Sequence, residues 1–324
     1  MAFSLPDHWV WDFWLADDGA TYHLFYLHAP HALGNPDLRH RNARIGHATS
    51  GNLIDWTNHG QIFDVGTPGS FDATANWTGS VVRGPDGRWR LFYTGSRFLS
   101  PDSNANIETV GMALSDDLFS WQKLPGPVLV ADAAHYETLG DSSWPEEAFR
   151  DPWVFQGEDD QWHMLITARA NHGEVMERGV VGHATSPDMQ TWALQPALSA
   201  IKGGFAHIEV PQIVEVEGTL HLIFCCDSPK LSGRLAGQNG GIWSVAVASP
   251  LGPYPIERAT LLAPQDLYAG RVATDRNGQA VLLAFNNTQV NGVFAGSISN
   301  PLPLRVGHEP DGLPRLEVKA HSAS

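Results

Sequence analysis

A short pattern of a polar turn followed by an alternating strand recurs along the chain. An acidic or amide residue, usually followed by Gly, precedes a run of alternating apolar and polar residues, which is typical of a hairpin turn that leads into a half-buried strand. The five copies are Asp18-Gly19 before Thr21 to Leu27, Asp86-Gly87 before Trp89 to Thr94, Asp159-Asp160 before Trp162 to Thr167, Glu217-Gly218 before Thr219 to Phe224, and Asn277-Gly278 before Ala280 to Phe285.

A second element follows the first three copies and reads Ala-(Thr/Leu)-Ser, then small or polar residues, a hydrophobe and Trp. It covers Ala48 to Trp56, Ala113 to Trp121 and Ala184 to Trp192. Repeats of about 60 residues that each hold several short strands are typical of propeller blades and not of solenoids. The sequence therefore predicts an all-β fold, with a β-sandwich as the alternative.

The predicted fold is a five-bladed β-propeller that occupies residues 1–324 as a single domain. We place the blades roughly at 1–65, 66–135, 136–200, 201–262 and 263–324, with only a short tail from about Pro301. In a propeller the innermost strand of each blade lines a central channel, so equivalent positions in the repeat should converge there.

Carboxylates occupy three of the five equivalent positions, which lie seven to nine residues before each turn. These positions hold Asp12, Gly79, Asp151, Glu209 and Gly270, the last beside Arg271. Charged groups in apolar strand sequence are costly unless a function or a partner retains them. We therefore interpret Asp12, Asp151 and Glu209 as candidate catalytic residues at the mouth of the channel.

The overall charge and the aromatic content narrow the substrate class. The formal charge is −15, from 35 acidic and 20 basic residues, and no basic run interrupts it. Such a chain repels a phosphate backbone, which excludes nucleic acid as a partner. The 12 Trp and six Tyr residues suit the C–H faces of sugars. Converging carboxylates without a metal-binding loop favour glycosidic acid/base chemistry over a Ca²⁺ or Mg²⁺ site, so we predict no metal at the site and no cofactor, with a structural Ca²⁺ elsewhere left open.

The cysteines and the N-terminal segment bear on the cellular compartment. Cys225 and Cys226 are neighbours in an apolar run, which is poor geometry for a structural disulfide, and we expect two buried thiols. Met1 to Trp14 lacks the basic and apolar regions of a signal peptide, and no segment approaches the ~20 apolar residues of a membrane span. We therefore expect a cytoplasmic protein without a membrane partner, of open oligomeric state.

Four blocks of the sequence resemble the signature blocks of one enzyme clan. They are Val10-Trp11-Asp12-Phe13-Trp14, Trp77-Thr78-Gly79-Ser80, Phe149-Arg150-Asp151-Pro152 and Glu209-Val210-Pro211-Gln212. In this order they resemble the β-fructosidase clan, which comprises glycoside hydrolase families 32 and 68 with the invertases, levanases and levansucrases. The surroundings of Asp12 are closer to the family 68 style.

The resemblance implies a retaining β-fructofuranosidase that acts on sucrose or short fructo-oligosaccharides. Asp12 matches the nucleophile that forms a covalent fructosyl intermediate, Asp151 the stabiliser of the transition state, and Glu209 the acid/base. Fructosyl transfer to a sugar competes with hydrolysis of the same intermediate. We expect the less polar flanks of Glu209 to raise its pKa relative to that of Asp12. The expected substrate-binding residues are Trp11, Trp77, Ser80, Arg150, His207, Gln212 and Arg271.

Departures from the clan leave other functions open. The chain lacks the Asn-Asp-Pro-Asn-Gly block of family 32, and Val210-Pro211 follows Glu209 where the clan has Cys-Pro or Arg-Pro. One alternative is an inverting arabinofuranosidase or xylosidase similar to glycoside hydrolase family 43, in which Asp12 activates water. The other is a propeller that binds sugars without turning them over.

Overall fold

We describe residues 2–288 and 293–319 from a computed structural model. Blades 1 and 2 comprise β1 (His8–Asp17), β2 (Tyr22–Pro30), β3 (Arg44–Ser50), β4 (Thr57–Phe63), β5 (Ala75–Arg83), β6 (Trp89–Phe98), β7 (Asn106–Ser115) and β8 (Gln122–Lys123). Blades 3 and 4 comprise β9 (Arg150–Gln156), β10 (Trp162–Arg169), β11 (Gly179–Ser186), β12 (Ala193–Gln195), β13 (Glu209–Val216), β14 (Thr219–Cys226), β15 (Gly241–Ala246) and β16 (Thr260–Pro264). Blade 5 comprises β17 (Leu267–Thr274), β18 (Ala280–Thr288), β19 (Phe294–Ile298), β20 (Leu302–His308) and β21 (Pro314–Val318).

The strands form five antiparallel sheets that close into a ring. Each of the first four sheets is a four-stranded meander, and the fifth has the order β17-β18-β20-β21 with β19 paired to β18. The first strand of each blade contacts the first strand of the next blade, and contacts between β1 and β17 close the circle. The predicted five-bladed β-propeller is therefore confirmed.

The five predicted turns join the first and second strands of the five blades. The turn residues adopt the left-handed backbone conformation that Gly or a short polar residue tolerates best. Gly19, Gly87, Asp160, Gly218 and Gly278 have φ angles of 94°, 82°, 61°, 78° and 80°. Each predicted strand begins at or within one residue of its expected start, so the recurring pattern marks the hairpin at the centre of each blade.

Alternation along the strands explains how neighbouring blades pack together. Side chains at successive positions of a strand point to opposite faces of its sheet. Leu91 accordingly packs in the cluster between blades 1 and 2, whereas Phe92 packs between blades 2 and 3. Cys226 and Cys225 lie on opposite faces in the same way, towards blades 3 and 5, and both are buried free thiols as expected.

Blade 5 lies within its expected range of 263–324, but its last part was interpreted wrongly. The segment after Pro301, which was expected to be a tail, forms β20 and β21, the outer strands of this blade. Glu217 of blade 4 accepts a hydrogen bond from the Val306 N–H at 2.9 Å, which ties this segment to the neighbouring blade. The expected limit at residue 262 falls inside β16.

The described helices are short 3-10 turns in the connecting segments. Within residues 2–288 and 293–319, no helix has the length and apolar content needed to cross a membrane. The helices are His31–Leu33, Pro36–Asn42, Val175–Glu177, Ser228–Lys230, Gly233–Leu235 and Ile256–Arg258.

Candidate active site

Each innermost strand is interrupted by a β-bulge at the same level of the channel. The register shifts lie between Val10 and Phe13 in β1, Trp77 and Gly79 in β5, Arg150 and Trp153 in β9, Glu209 and Gln212 in β13, and Tyr268 and Arg271 in β17. A bulge bends its strand and re-aims the side chains that it carries. Asp12 and Asp151 lie within bulges and Glu209 directly precedes one, so the three carboxylates form one layer, called here the carboxylate layer.

Asp12 is held by the neighbouring blade. The Thr78 hydroxyl donates a hydrogen bond of 2.6 Å to Asp12 Oδ2. Burial raises the pKa of Asp12 to about 7, with the negative charges of Asp151 and Glu209 adding to the rise, whereas the hydrogen bond from Thr78 and the charge of Arg271 oppose it. A carboxylate at this position is ionised only near or above neutral pH.

Asp151 is fixed by its backbone and by two donors. Its φ angle of 59° is unusual for a residue other than Gly and is typical of a functional position that the surrounding structure enforces. Its Oδ2 accepts hydrogen bonds from the Thr167 hydroxyl at 2.7 Å and from the Val210 N–H at 3.1 Å. Burial raises its pKa, and the Arg150 charge and these hydrogen bonds oppose the rise.

Arg150 is the centre of a buried ion-pair network. Its Nη1 donates to Glu108 Oε2 at 3.0 Å and to Glu146 Oε1 at 3.2 Å, and its Nη2 donates to Glu209 Oε1 at 2.5 Å. Burial works against the guanidinium charge, but the carboxylates around it, Glu108 first, raise the pKa of Arg150 well above its ordinary value. Burial also raises the pKa of Glu108 to about 8. Arg150 therefore stays charged and orients Glu209.

The surroundings of Glu209 are polar, contrary to the expectation from its sequence neighbours. Its Oε1 accepts the Arg150 hydrogen bond, and its Oε2 accepts a hydrogen bond of 2.6 Å from the Tyr268 hydroxyl. His207 Nε2 lies 3.5 Å from the same Oε2. Burial is the largest cause of the raised pKa of Asp12. The apolar neighbours of Glu209, Ile208 and Val210, pack into two different hydrophobic clusters, so they do not make the surroundings of the carboxylate apolar.

The carboxylate layer lines a cavity of about 680 Å³. Of the predicted substrate-binding residues, the cavity lining includes Trp11, Trp77, Arg150 and His207. Trp77 is positioned by a hydrogen bond of 2.8 Å from its indole N–H to the His40 carbonyl. Aromatic faces beside carboxylates give the cavity the character of a sugar site, with apolar surfaces for the ring and polar groups for its hydroxyls.

Three predicted substrate-binding residues, Ser80, Gln212 and Arg271, lie instead on the turn side of the bulges, and we call them the stitching layer. They are buried and are not part of the cavity lining. Ser80 Oγ accepts the Val154 N–H at 3.2 Å, and Gln212 exchanges two hydrogen bonds of 2.9 Å with the backbone of Val272. Their polar atoms join neighbouring blades, so the structure does not support substrate contacts for them.

Arg271 reaches every innermost strand besides its own. It donates to the carbonyl oxygens of Phe13 in β1 at 3.4 Å, Gly79 in β5 at 3.5 Å and Pro211 in β13 at 3.1 Å. Its guanidinium also lies 5.1 Å from the centre of the Trp153 ring in β9. The buried guanidinium of Arg271 thus connects the innermost strands of all five blades next to the carboxylate layer.

Several site residues were not singled out from the sequence. The sequence does contain a pointer to Thr78 and Tyr268. Thr78 lies inside the block Trp77-Thr78-Gly79-Ser80, and Tyr268 lies two residues before Gly270, the blade 5 counterpart of the carboxylate positions. Glu108 had no such pointer, since it lies on a third strand of its blade and reaches the site through its contact with Arg150. The site residues that the sequence analysis missed are Thr78, Glu108, Trp144, Glu146, Asp227 and Tyr268.

Two curated relatives resemble parts or most of the chain. A fructan 6-exohydrolase from Beta vulgaris is 28% identical over 202 residues, which are 59% of this chain and 29% of the relative. An extracellular sucrase from Zymomonas mobilis is 24% identical over 358 residues, covering 94% of this chain and 84% of the relative. The chain thus spans less than a third of the length of the fructan 6-exohydrolase.

The fold is shared with solved structures, and one family model covers most of the chain. An inulosucrase from Halalkalicoccus jeotgali bound to kestose superposes with a TM-score of 0.79 at 22% identity, over 99% of this chain and 90% of that one. Residues 14–292 match the glycosyl hydrolases family 32 N-terminal domain, a range that includes Asp151 and Glu209 and begins just after Asp12. The chain therefore belongs to the glycosyl hydrolase family 32 N-terminal domain family.

Proposed function

We propose that the protein is a retaining β-fructofuranosidase that hydrolyses sucrose or short fructo-oligosaccharides. The observation that carries this proposal is the carboxylate layer: three carboxylates from three blades meet in one aromatic-lined cavity, with Arg150 bound to one of them. The names of the curated relatives, a fructan 6-exohydrolase and an extracellular sucrase, support a fructosyl substrate.

In the first step, Asp12 forms a bond to the anomeric carbon of the fructosyl unit. The bond from this carbon to the leaving oxygen breaks as Glu209 gives that oxygen its proton, and the second sugar departs as an alcohol. Asp12 must be ionised to attack, and the Thr78 hydroxyl stabilises that form through its hydrogen bond. Arg150 holds Glu209 Oε1, so the proton is carried by Oε2, which also accepts the hydrogen bond from the Tyr268 hydroxyl.

In the second step, water attacks the anomeric carbon and Glu209 takes the proton from it, so that Asp12 is released as a carboxylate. A sugar hydroxyl in place of water gives fructosyl transfer from the same intermediate. Asp151, fixed by Thr167 and Val210, binds the fructosyl hydroxyls and stabilises the positive charge that develops on the ring.

The test uses azide to replace the function of the acid/base. Glu209→Ala and Asp12→Ala are incubated with sucrose and with an activated aryl fructoside, and the products are separated by chromatography. Azide needs no base to attack the fructosyl intermediate, so it should restore turnover of the aryl fructoside by Glu209→Ala with a fructosyl azide as product. Asp12→Ala cannot form the intermediate, so any fructosyl azide that it yields arises by direct displacement and has the inverted anomeric configuration, whereas the azide from Glu209→Ala has the retained configuration.

Glu215→Ala is the matched control, since Glu215 lies on the same strand but is exposed to solvent. It should hydrolyse sucrose like the unchanged protein. Cleavage of an aryl arabinofuranoside with inversion, and no action on fructosides, would contradict the assignment and favour the family 43-like alternative. Tight binding of fructosides without any turnover would favour the non-catalytic propeller.

A further inference from the structure

Three metal-ligating side chains meet at one edge of the cavity. His207 Nε2 lies 3.5 Å from Glu209 Oε2 and 3.6 Å from Asp227 Oδ1, and the three ligand atoms lie within 4.8 Å of one another. The sheet register explains this proximity. Glu209 is paired with Cys225 across β13 and β14, and continuing the antiparallel register by two residues places His207 opposite Asp227.

The imidazole of His207 is buried and has no hydrogen-bond partner on either ring nitrogen among the described residues. The residue is only 5% exposed, and the edge of Trp144 packs against the ring at a centroid distance of 5.9 Å. Gly179 packs against its backbone so closely that a Cβ on that glycine would lie 2.7 Å from His207 Cα. A fixed, buried and unsatisfied imidazole is costly unless a ligand uses it.

The two distances from His207 Nε2 to the carboxylate oxygens suit a transition-metal ion. Zinc binds histidine nitrogen and carboxylate oxygen at about 2.0–2.1 Å in a tetrahedron, which separates the ligand atoms by roughly 3.3 Å. The two distances from His207 Nε2, 3.5 and 3.6 Å, are close to this edge length. One imidazole with two carboxylates favours Zn²⁺, Co²⁺ or Cu²⁺ over Ca²⁺ and Mg²⁺, which prefer oxygen ligands alone.

The charges around the three atoms also favour a cation. The cavity lining includes six carboxylates, Asp12, Asp37, Glu146, Asp151, Glu209 and Asp227, against four basic side chains, Arg39, Arg41, Arg150 and Lys230. Arg150 binds Glu209 through Oε1, so a cation would bind through Oε2, where it replaces the hydrogen bond from Tyr268. The single proton of the Tyr268 hydroxyl lies between Glu209 Oε2 at 2.6 Å and Asp227 Oδ1 at 3.1 Å, so Tyr268 competes with a cation for these oxygens.

We propose that His207, Glu209 and Asp227 bind one divalent transition-metal ion, with Zn²⁺ as its representative, and that the bound ion inhibits the enzyme. The inhibitory part rests on the proposed function, because an ion on Glu209 Oε2 blocks the atom that carries the catalytic proton. Binding of the ion thus inhibits the acid/base directly and requires no conformational change.

Binding is tested with Co²⁺, whose visible absorption reports tetrahedral coordination independently of any activity. The purified full chain should bind one Co²⁺ with an intense visible band that Zn²⁺ abolishes. His207→Gln and Asp227→Asn should each weaken Co²⁺ binding at least about tenfold. Tyr268→Phe, which keeps all three ligands, and His172→Gln, which changes an exposed histidine outside the cavity lining, should keep the band. A band that persists in His207→Gln and Asp227→Asn overturns the site.

Inhibition is tested by sucrose hydrolysis at increasing Zn²⁺, with each variant compared with its own activity without metal. Zn²⁺ should inhibit the unchanged protein competitively with sucrose, whereas equal Ca²⁺ or Mg²⁺ should not. Asp227→Asn should raise the half-inhibitory Zn²⁺ concentration at least about tenfold. Co²⁺ binding without hydrolysis of any fructoside would leave the metal site standing and remove the proposed function. Hydrolysis that is insensitive to Zn²⁺ would leave the proposed function standing and overturn the inhibitory role of the site.

Discussion

The carboxylate layer and the stitching layer occupy the same innermost strands, only a few residues apart, but their polar groups have opposite environments. In the carboxylate layer, the half-buried Asp12 and the buried Asp151 lie near each other, and desolvation raises the pKa of both. In the stitching layer, Gln212 is satisfied on both sides by the Val272 backbone. On one side of the bulges, carboxylates that repel one another are held close together. On the other side, the polar side chains are paired by hydrogen bonds.

The difference shows how a propeller can hold like charges together. Buried carboxylates destabilise the folded chain unless the surrounding structure keeps them in place. The stitching layer supplies this support, because Arg271 crosses the channel to the other strands and its positive charge also acts on Asp12 and Asp151. We therefore expect changes in the first layer to affect catalysis and changes in the second to affect stability.

The largest effect on activity is expected for Asp12→Asn. The variant should lose turnover by at least about 10⁴-fold, since it removes the nucleophile. The same variant should be more stable to unfolding than the unchanged protein. The folded pKa of Asp12, about 7, lies above its ordinary value of 3.8, so the unchanged protein loses stability as the pH rises from about 4 to 7, when this buried carboxyl becomes charged. The asparagine variant does not undergo this loss.

The measurement is thermal unfolding of both proteins between pH 4 and 8. The melting temperature of Asp12→Asn should exceed that of the unchanged protein by a margin that grows up to about pH 7 and then stays constant. A margin that shrinks with rising pH would show that Asp12 stabilises the fold as an anion, contrary to the contrast between the two layers.

The largest effect on stability is expected for Arg271→Met. The variant keeps the aliphatic volume but leaves the carbonyls of Phe13, Gly79 and Pro211 without their donor, and Asp12 and Asp151 without a nearby positive charge. We expect a loss of about 3–5 kcal/mol in the free energy of unfolding, measured by urea denaturation. Arg276→Met, at an exposed arginine that pairs with Asp17 on the surface, is the control and should change little.

A smaller effect is expected for Thr78→Val, which changes the pKa of Asp12 but keeps its carboxylate. Loss of the hydrogen bond to Asp12 Oδ2 destabilises the ionised carboxylate and raises its pKa above about 7. A hydrogen bond to a charged group is worth about 1.5–3 kcal/mol, or roughly one to two pH units. The acidic limb of the pH profile of kcat/KM should therefore move to higher pH by that amount. Thr78→Ser, which keeps the hydroxyl, should leave the limb in place.

The sequence was sufficient for the blades because the information for them is local. Each blade repeats one turn and one alternating strand, and the left-handed residues of these turns, such as Gly87 and Asp160, stand at the predicted positions. The positions of Asp12, Asp151 and Glu209 around one cavity followed from the phase of the repeat. The last outer strands, β20 and β21, were missed because they follow β19, an extra strand that breaks the repeat.

The bulges explain why the finer details of the site were not predicted. A bulge shifts the alternation by one residue, so the direction of side chains near it cannot be counted from the strand alone. Ser80, Gln212 and Arg271 were assigned to the substrate because they are polar and near the carboxylates in sequence, yet they lie beyond the bulges. The polar partners of Glu209 come from blades 3 and 5, at Arg150 and Tyr268, and flanking residues carry no information about them.

The smallest effect is expected for Gln212→Leu, which tests the stitching layer without touching the carboxylates. The leucine fills a similar volume but leaves the N–H and the carbonyl of Val272 unpaired, which should cost about 2 kcal/mol of unfolding free energy. The cavity lining does not include Gln212, so kcat and KM for sucrose should stay within about threefold of the unchanged values. Urea denaturation and steady-state kinetics on the same preparation separate the two outcomes. A large rise in KM with unchanged stability would return Gln212 to the substrate site and remove the distinction between the layers, because a residue beyond the bulge would then contact the sugar.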